Sequence, residues 1–236
     1  MGTTFGNVTN HGENSVTSQG NTGFQSVNQG APGPAGGSAA HGPALLDAAR
    51  RGTGTDRRRN VFVVYGRDEQ VRRAMFQLLQ RLDLRPLEWE DLIRASGQAS
   101  PFLGEVVGAA PALAQAALVL LTPDDLVRLH PDLLAADDPD DERYATGQPR
   151  PNVLLELGMV LMAYPRRTLM VEFGRTRRIA DLAGRNVIRF DGSATAVGKI
   201  VERLKGAECE VDDTGSEWRD LTPYRDLVAY RRGPGT

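Results

Sequence analysis

The apolar positions of this chain follow two different spacings from residue 60 onward. Short, almost entirely apolar runs such as 61–65 and 117–121 are typical of strands that are buried on both faces of a sheet. Between such runs, apolar residues recur every three or four positions, which is the spacing of an amphipathic helix. The predicted strands cover 61–65, 85–89, 117–121, 168–173 and 186–190, and the predicted helices cover 69–82, 102–114, 151 to about 165, and 194–204. Strands that alternate with helices predict a five-stranded, flavodoxin-like parallel sheet with helices on both faces.

Sheets of this kind bind ligands outside the carboxyl ends of their strands. In this sequence the first three such ends lead into 66–68, 91–101 and 122–125. The segment 91–101 is rich in small and polar residues and is predicted to be a loop. The segment 130–148 is long, acidic and contains prolines, so it is predicted to be a surface excursion.

Residues 1–56 have a different composition from the rest of the chain. Gly, Asn, Ser, Thr and Gln dominate the first 30 residues, which carry almost no charge and show a weak repeat that begins at Val8 and again at Val16. Such a segment contains too little apolar surface to form its own core. It is either a disordered linker or a self-assembly segment whose copies stack as strands. The predicted organisation is a low-complexity segment and linker over 1–56, an α/β domain over 57–220 and a C-terminal tail over 221–236.

Charge and cysteine content exclude several classes of function. The 28 Lys and Arg residues are balanced by 30 Asp and Glu residues, so no overall positive field indicates binding to DNA or RNA. Cys209 is the single cysteine and the chain has three histidines, which excludes an internal disulfide and a Cys-rich metal site. Asp124 and Asp125 suggest a metal pair, but a helix N-terminal cap explains them better, and we assign no metal. With no secretion signal and no apolar stretch that spans a bilayer, the expected location is the cytoplasm.

Glu156 is the most informative titratable residue. It lies inside an apolar run at helical spacing that begins after Pro151, a residue suited to a first helical turn, with Asn152 as a possible contributor to the cap. A carboxylate that is buried on such a helix costs free energy unless it has a partner or a function. The alternative is an exposed Glu on the polar side, where Glu is a good helix former.

Three segments in series resemble a known family. The segments 61–68, 119–125 and 150–158 are similar, in this order, to those of the bacterial TIR-like domains once described as predicted nucleotide-binding proteins. These include the TIR effectors of the CBASS and Pycsar types of cyclic-nucleotide antiphage system. The segment 96–102 fits a subgroup with a Gly-x-x-Ser-Pro-aromatic loop. The resemblance covers about 58–220 and implies a TIR fold.

The resemblance also implies an activity, the hydrolysis of NAD+ to nicotinamide and ADP-ribose, with Glu156 as the catalytic glutamate. NAD+ is then the substrate, and no cofactor is expected. Cleavage of the nicotinamide–ribose bond develops positive charge on the ribose, which a carboxylate near the anomeric carbon stabilises. The turn 66–68 offers backbone N–H groups and the Arg67 guanidinium to the pyrophosphate, although Gly66 serves equally as a simple turn residue.

The remaining candidates surround the same pocket. Trp89 and Phe102 either stack on a substrate ring or pack in the core. Arg94, Ser96 and Gly97 either frame the pocket or belong to an ordinary mobile loop. The full set of candidate NAD+-contacting residues comprises Tyr65, Gly66, Arg67, Asp68, Trp89, Arg94, Ser96, Gly97, Phe102, Thr122 and Asn152.

Two other functions fit the same residues. One is a non-catalytic TIR module that binds a nucleotide or oligomerises, and the other is a cyclase that makes a cyclic ADP-ribose signal. Because a constitutive NAD+ hydrolase would kill its host, a gate is expected. We expect homo-oligomerisation through the TIR domain and through residues 1–30, and an upstream sensor protein or cyclic-nucleotide signal as a further partner.

Overall fold

The computed structural model describes residues 57–233. A five-stranded parallel sheet in the order β2-β1-β3-β6-β7 forms its centre. The strands are β1 (Asn60–Val64), β2 (Arg85–Leu87), β3 (Ala116–Leu121), β6 (Thr168–Phe173) and β7 (Ile188–Phe190). This order confirms the flavodoxin-like fold, in which β2 is added on one side of β1 and all later strands of the sheet, from β3 onward, are added on the other side.

Helices cover both faces of the sheet. The longer ones are α1 (Glu69–Arg81), α2 (Trp89–Ser96), α3 (Leu103–Leu113), α5 (Pro151–Ala163) and α6 (Ala194–Gly206). Alternate strand residues point to opposite faces, so Val61 and Val63 pack with α1 and α6, whereas Phe62 and Val64 pack with α2, α3 and α5. The sheet therefore separates two apolar cores, and α5 with Glu156 belongs to the α2–α3–α5 layer.

Short elements lie within and just before the predicted surface excursion 130–148. Strands β4 (Asp125–Val127) and β5 (Thr146–Gln148) pair antiparallel, apart from the main sheet. Between them lie a 3₁₀ turn (Pro131–Leu133) and the one-turn helix α4 (Asp140–Arg143). Another 3₁₀ turn (Ala180–Leu182) lies between β6 and β7.

The prediction of a strand to residue 89 and a loop over 91–101 was wrong. The chain leaves β2 at Leu87 and enters α2 at Trp89. A reciprocal capping box starts this helix, in which Glu88 accepts from the backbone at Asp91, and the Glu88 N–H donates to Asp91 Oδ2 at 2.9 Å. The helix ends at Gly97, which adopts a left-handed φ of 69°.

The segment after α6 packs onto the domain although it was expected to be a tail from residue 221. It forms 3₁₀ turns at Glu217–Arg219, Thr222–Tyr224 and Val228–Arg231, and the side chains of Tyr224 and Ala229 are fully buried. A Cβ on Gly192, which follows β7, would lie 2.5 Å from the Tyr224 carbonyl oxygen, so the chains approach closely there. The C-terminal segment is thus built against the carboxyl edge of the sheet.

The expectations for residues 1–56 fall outside the described residues, and so does any role of residues 1–30 in assembly. Within residues 57–233, every helix is too short or too polar to cross a lipid bilayer.

Candidate active site

Glu156 lies at the edge of the buried stripe of α5. This stripe consists of Val153, Leu157 and Val160, which pack onto the β1–β3 face of the sheet. The Glu156 side chain is half-buried beside the stripe, and this burial raises the pKa of its carboxyl group. Within residues 57–233 it forms no hydrogen bond or ion pair. The carboxylate is therefore partly desolvated and has no protein partner among these residues.

The first turn of α5 faces the end of β3. Pro151 opens the helix, and its cap residue Arg150 makes no side-chain capping bond. Instead, Arg150 Nη1 lies 3.0 Å from Asp125 Oδ1, which ties the helix start to β4. Asn152 is exposed in the first turn and does not cap the helix, contrary to the role suggested by the sequence. The fixed φ of Pro151 suits the start of a helix, and its missing N–H leaves one donor fewer to cap.

The carboxyl ends of β1 and β3 lie side by side, at the point where the order of the strands in the sheet reverses. We call this place the β1–β3 reversal. Asp124 packs directly on Gly66, and its Oδ2 accepts the Arg67 N–H at 2.8 Å. Asp68 caps α1, with Oδ1 accepting the Val71 N–H at 2.9 Å. Both carboxylates are almost completely buried, with side-chain exposures of 4% for Asp68 and 3% for Asp124. The Arg67 N–H is therefore already bonded, while the Arg67 side chain remains exposed.

The interpretation of Asp124 and Asp125 as a helix cap was wrong. Asp124 binds the 66–68 turn, and Asp125 belongs to β4 and binds Arg150. Thr122 is buried just before them, and its carbonyl accepts the Asp124 N–H at 2.9 Å. Among residues 57–233, no three His, Cys, Asp or Glu side chains cluster as metal ligands would.

Two of the candidate aromatic residues, Tyr65 after β1 and Trp89 at the start of α2, lie on opposite faces of the sheet. The Tyr65 ring packs edge-on against Phe76 on the α1 side, with the Arg72 guanidinium 5.1 Å from its centre. Trp89 lies in the α2–α3–α5 layer, where its ring is 6.2 Å from that of Phe62. Of these two rings, Trp89 shares the layer of Glu156.

The other candidates lie on α2 and in the connection from α2 to α3. Arg94 is exposed and pairs with Asp91 at 3.3 Å, and the Ser96 hydroxyl donates to the Ile93 carbonyl at 2.6 Å. Phe102, the cap residue of α3, is 80% exposed, so it does not pack in the core. These side chains border the layer of Glu156 and face solvent in the single chain.

A cavity of about 1120 Å³ lies at the ends of β3 and β6. Leu121, Glu172 and the arginine-rich segment 175–178 line part of its wall. None of the candidate residues lines it. The candidate site at the β1–β3 reversal instead lies outside this cavity, above the buried carboxylates of Asp68 and Asp124.

Two arginines at this surface were not predicted as site residues. Arg150 directly precedes the Glu156 helix, so its position beside that motif was the available signal. Arg232 reaches Asp68 and Asp124 from the C-terminal segment, with Nη2 2.9 Å from Asp68 Oδ2. Nothing in the local sequence around Arg232 marks this contact.

Comparison with known proteins agrees with the geometry. The family described as the TIR domain of the CAP12/Pycsar effector protein matches residues 60–192, which is more than half of the chain. No curated protein matches the sequence. The matched region spans all five strands of the sheet and includes Glu156. The chain therefore belongs to the TIR-domain family of CAP12/Pycsar effector proteins.

Proposed function

We propose that this protein is an NAD+ glycohydrolase that cleaves the nicotinamide–ribose bond and acts as an effector of bacterial antiphage defence. The observation that carries the proposal is Glu156, a half-buried carboxylate without a partner among residues 57–233 and inside the family-matched region. Membership of the effector TIR family supports the effector role.

The environment of Glu156 suits this chemistry. As the bond to nicotinamide breaks, positive charge develops on the ribose, and a carboxylate at the ribose stabilises that charge more strongly in the transition state than in the ground state. Partial burial strengthens this attraction because less water screens it. Nicotinamide leaves as a neutral molecule, so the reaction does not require a strong general acid.

The missing partner of Glu156 also argues against a purely structural role. A structural carboxylate in an apolar layer is normally compensated by an ion pair or by hydrogen bonds. Glu156 has no such partner among residues 57–233, which leaves the group free to act on a bound molecule. A non-catalytic TIR module gains nothing from this arrangement.

We further propose that assembly of several chains activates the enzyme. The α2–α3 connection borders the layer of Glu156, and in the single chain it presents the exposed ring of Phe102 to solvent. A neighbouring copy that covers this ring would exclude water from the site. Residues 1–30 are proposed to promote this assembly, because their near absence of charge removes electrostatic repulsion between copies.

The test is incubation of the full-length protein with NAD+ over a range of protein concentrations, followed by chromatographic identification of the products. We expect nicotinamide and ADP-ribose, with turnover per chain that rises with protein concentration. Glu156→Gln keeps the shape and removes the charge, so it should abolish the products. Glu105→Gln changes an exposed glutamate on neighbouring α3 and should retain turnover.

Each outcome of this experiment is decisive. Detection of cyclic ADP-ribose as the product would show that the enzyme catalyses cyclisation rather than hydrolysis. Near wild-type turnover in folded Glu156→Gln would refute the catalytic assignment. No product at any protein concentration would refute the proposal that assembly of the chain alone activates the enzyme.

A further inference from the structure

The C-terminal segment places an arginine at the carboxyl ends of β1 and β3, where the order of the strands in the sheet reverses. Arg232 Nη2 lies 2.9 Å from Asp68 Oδ2, and Arg232 Nη1 lies 3.6 Å from Asp124 Oδ1. Within the described part of the chain, these two buried carboxylate oxygens accept no hydrogen bond of good geometry. Among residues 57–233, Arg232 is the cation that pairs with both of them. Its single positive charge therefore partly compensates two carboxylates that are buried without another cation among these residues.

The position of Arg232 is fixed by the packing of the residues that precede it. Leu227 and Ala229 are buried, and the Ala229 carbonyl approaches Gly174 so closely that a Cβ there would overlap it. Gln70 on α1 accepts the Val228 N–H at 2.9 Å. The segment is thus held to the end of β6 and to α1, and Arg232 follows directly after it.

Charges at this surface are arranged in two layers. Asp68 and Asp124 form the buried layer, while three arginines lie on the outer side, namely Arg67, Arg150 and Arg232. The Arg232 side chain is 36% exposed, so the guanidinium bridges the carboxylates and still reaches solvent. A guanidinium has five N–H donors, more than the two carboxylate contacts use. The outer layer consequently presents arginine N–H donors at the sheet edge where parallel sheets bind ligands.

We propose that Arg232 binds the diphosphate of the dinucleotide substrate at this surface. The inference rests on the proposed NAD+ glycohydrolase function and deepens it, because it assigns substrate recognition to a residue outside the family-matched region 60–192. A diphosphate carries two negative charges, and the buried carboxylates alone would repel it. Arg232 offsets one of the two carboxylate charges, and the exposed Arg67 adds a second positive charge at this surface. The Arg232 guanidinium also contributes donors in the planar geometry that suits phosphate oxygens.

Kinetics on full-length Arg232→Met, Arg232→Lys and Arg231→Met provide the test. Loss of a charge-assisted contact made in both ground and transition states should raise KM for NAD+ roughly ten- to hundredfold in Arg232→Met, with little change in kcat. Arg232→Lys keeps one charge and should recover part of the loss. Arg231→Met is the matched control, because the neighbouring Arg231 pairs with exposed Asp226, at 3.4 Å, rather than with the buried carboxylates. An unchanged KM in Arg232→Met, or a loss confined to kcat, would overturn the inference.

Removing Arg232 leaves two buried carboxylates without a cation, so Arg232→Met can fail to fold. The comparison is then made between Asp68→Asn/Asp124→Asn and the same double variant with Arg232→Met added. Both lack the buried charges, so they differ only in the arginine. Tighter binding of NAD+ by the double variant supports the inference, and equal binding overturns it.

Calorimetric titration with ADP-ribose separates this inference from the proposed function. It measures recognition of the diphosphate without bond cleavage. If the wild-type protein binds ADP-ribose and Arg232→Met binds it more weakly, the assignment of Arg232 stands even where NAD+ is not cleaved and the glycohydrolase proposal has failed. If the wild-type protein cleaves NAD+ but Arg232→Met binds ADP-ribose equally well, the inference alone fails. Absence of ADP-ribose binding by the wild-type protein would also overturn the inference.

Discussion

Replacement of Gly66 by alanine tests whether the β1–β3 reversal is as tightly packed as the structure indicates. A Cβ at this position would overlap Asp124 Oδ2 and lie 3.1 Å from Asp124 Cγ. The neighbouring Arg150 side chain lies 3.4 Å away on another side. Asp124 is buried, so its carboxylate must move, and the hydrogen bond from the Arg67 N–H must lengthen or break.

The expected loss of stability follows from the loss of the hydrogen bond between the Arg67 N–H and Asp124. A hydrogen bond to a charged group contributes about 1.5–3 kcal/mol. For a domain of this size, each kcal/mol shifts Tm by about 2–4 °C, so we expect Gly66→Ala to lower Tm by about 3–12 °C. Arg232 Nη1 also lies 3.6 Å from Asp124 Oδ1, so displacement of that carboxylate should weaken this ion pair as well.

Thermal unfolding followed by circular dichroism measures the effect. Gly108→Ala is the matched control, because Gly108 lies on the exposed side of α3 and an added Cβ there meets nothing within 4 Å. This control should gain about 0.5–1 kcal/mol from the higher helix propensity of alanine. A Gly66→Ala variant as stable as the wild-type protein would show that Asp124 is not fixed against the turn, and the two-layer arrangement of charges would lose its basis.

Other consequences can be measured on the same protein. Burial raises the pKa of Glu156, so the folded protein holds this proton more tightly than the unfolded chain, and the free energy of unfolding should fall as the pH rises through that pKa. This fall should be absent in Glu156→Gln. Free energies of unfolding, measured with urea at several pH values, that change with pH in the same way in the two proteins would contradict the prediction. Asp91→Ala removes the acceptor of the Glu88 N–H and should cost about 0.5–2 kcal/mol, whereas Asp91→Asn should retain most of the stability. Burial raises the pKa of the Cys209 thiol to about 12, so the native protein should resist a thiol-specific dye that reacts once per chain after denaturation, and fast native labelling would count against the packing. A chain of residues 57–236 contains both apolar cores and should show one cooperative thermal transition, so an aggregated or molten product would mean that the first 56 residues are needed for folding.

Local patterns in the sequence determined the elements of the sheet and the place of Glu156. Runs such as 117–121 and 168–173 are apolar on both faces because parallel strands are covered on both sides, so their composition alone identifies them as strands. The alternation of strands with helices restricts the topology, since crossovers between parallel strands are almost always right-handed. Glu156 was recognisable because a charged residue interrupts an apolar helix, which depends on neighbours in sequence only.

Local patterns did not decide how α2 forms. Trp89 follows a short strand, and aromatic residues favour strands, so the pattern predicts extended backbone up to residue 89. The capping box between Glu88 and Asp91 competes with that tendency and starts a helix instead. The balance between the two is settled by packing of Leu92 into the α2–α3–α5 core, a contact that the sequence alone does not show.

The charged surface at the β1–β3 reversal depended entirely on the tertiary structure. Asp68, Asp124 and Arg232 are far apart along the chain, and the sequence around each of them does not indicate that they meet. Their contact arises because the carboxyl ends of parallel strands meet at one edge and the C-terminal segment crosses that edge. Burial and ion pairing are properties of the assembled fold, so sequence patterns determined which elements form, and only the packing of those elements decided which side chains face each other.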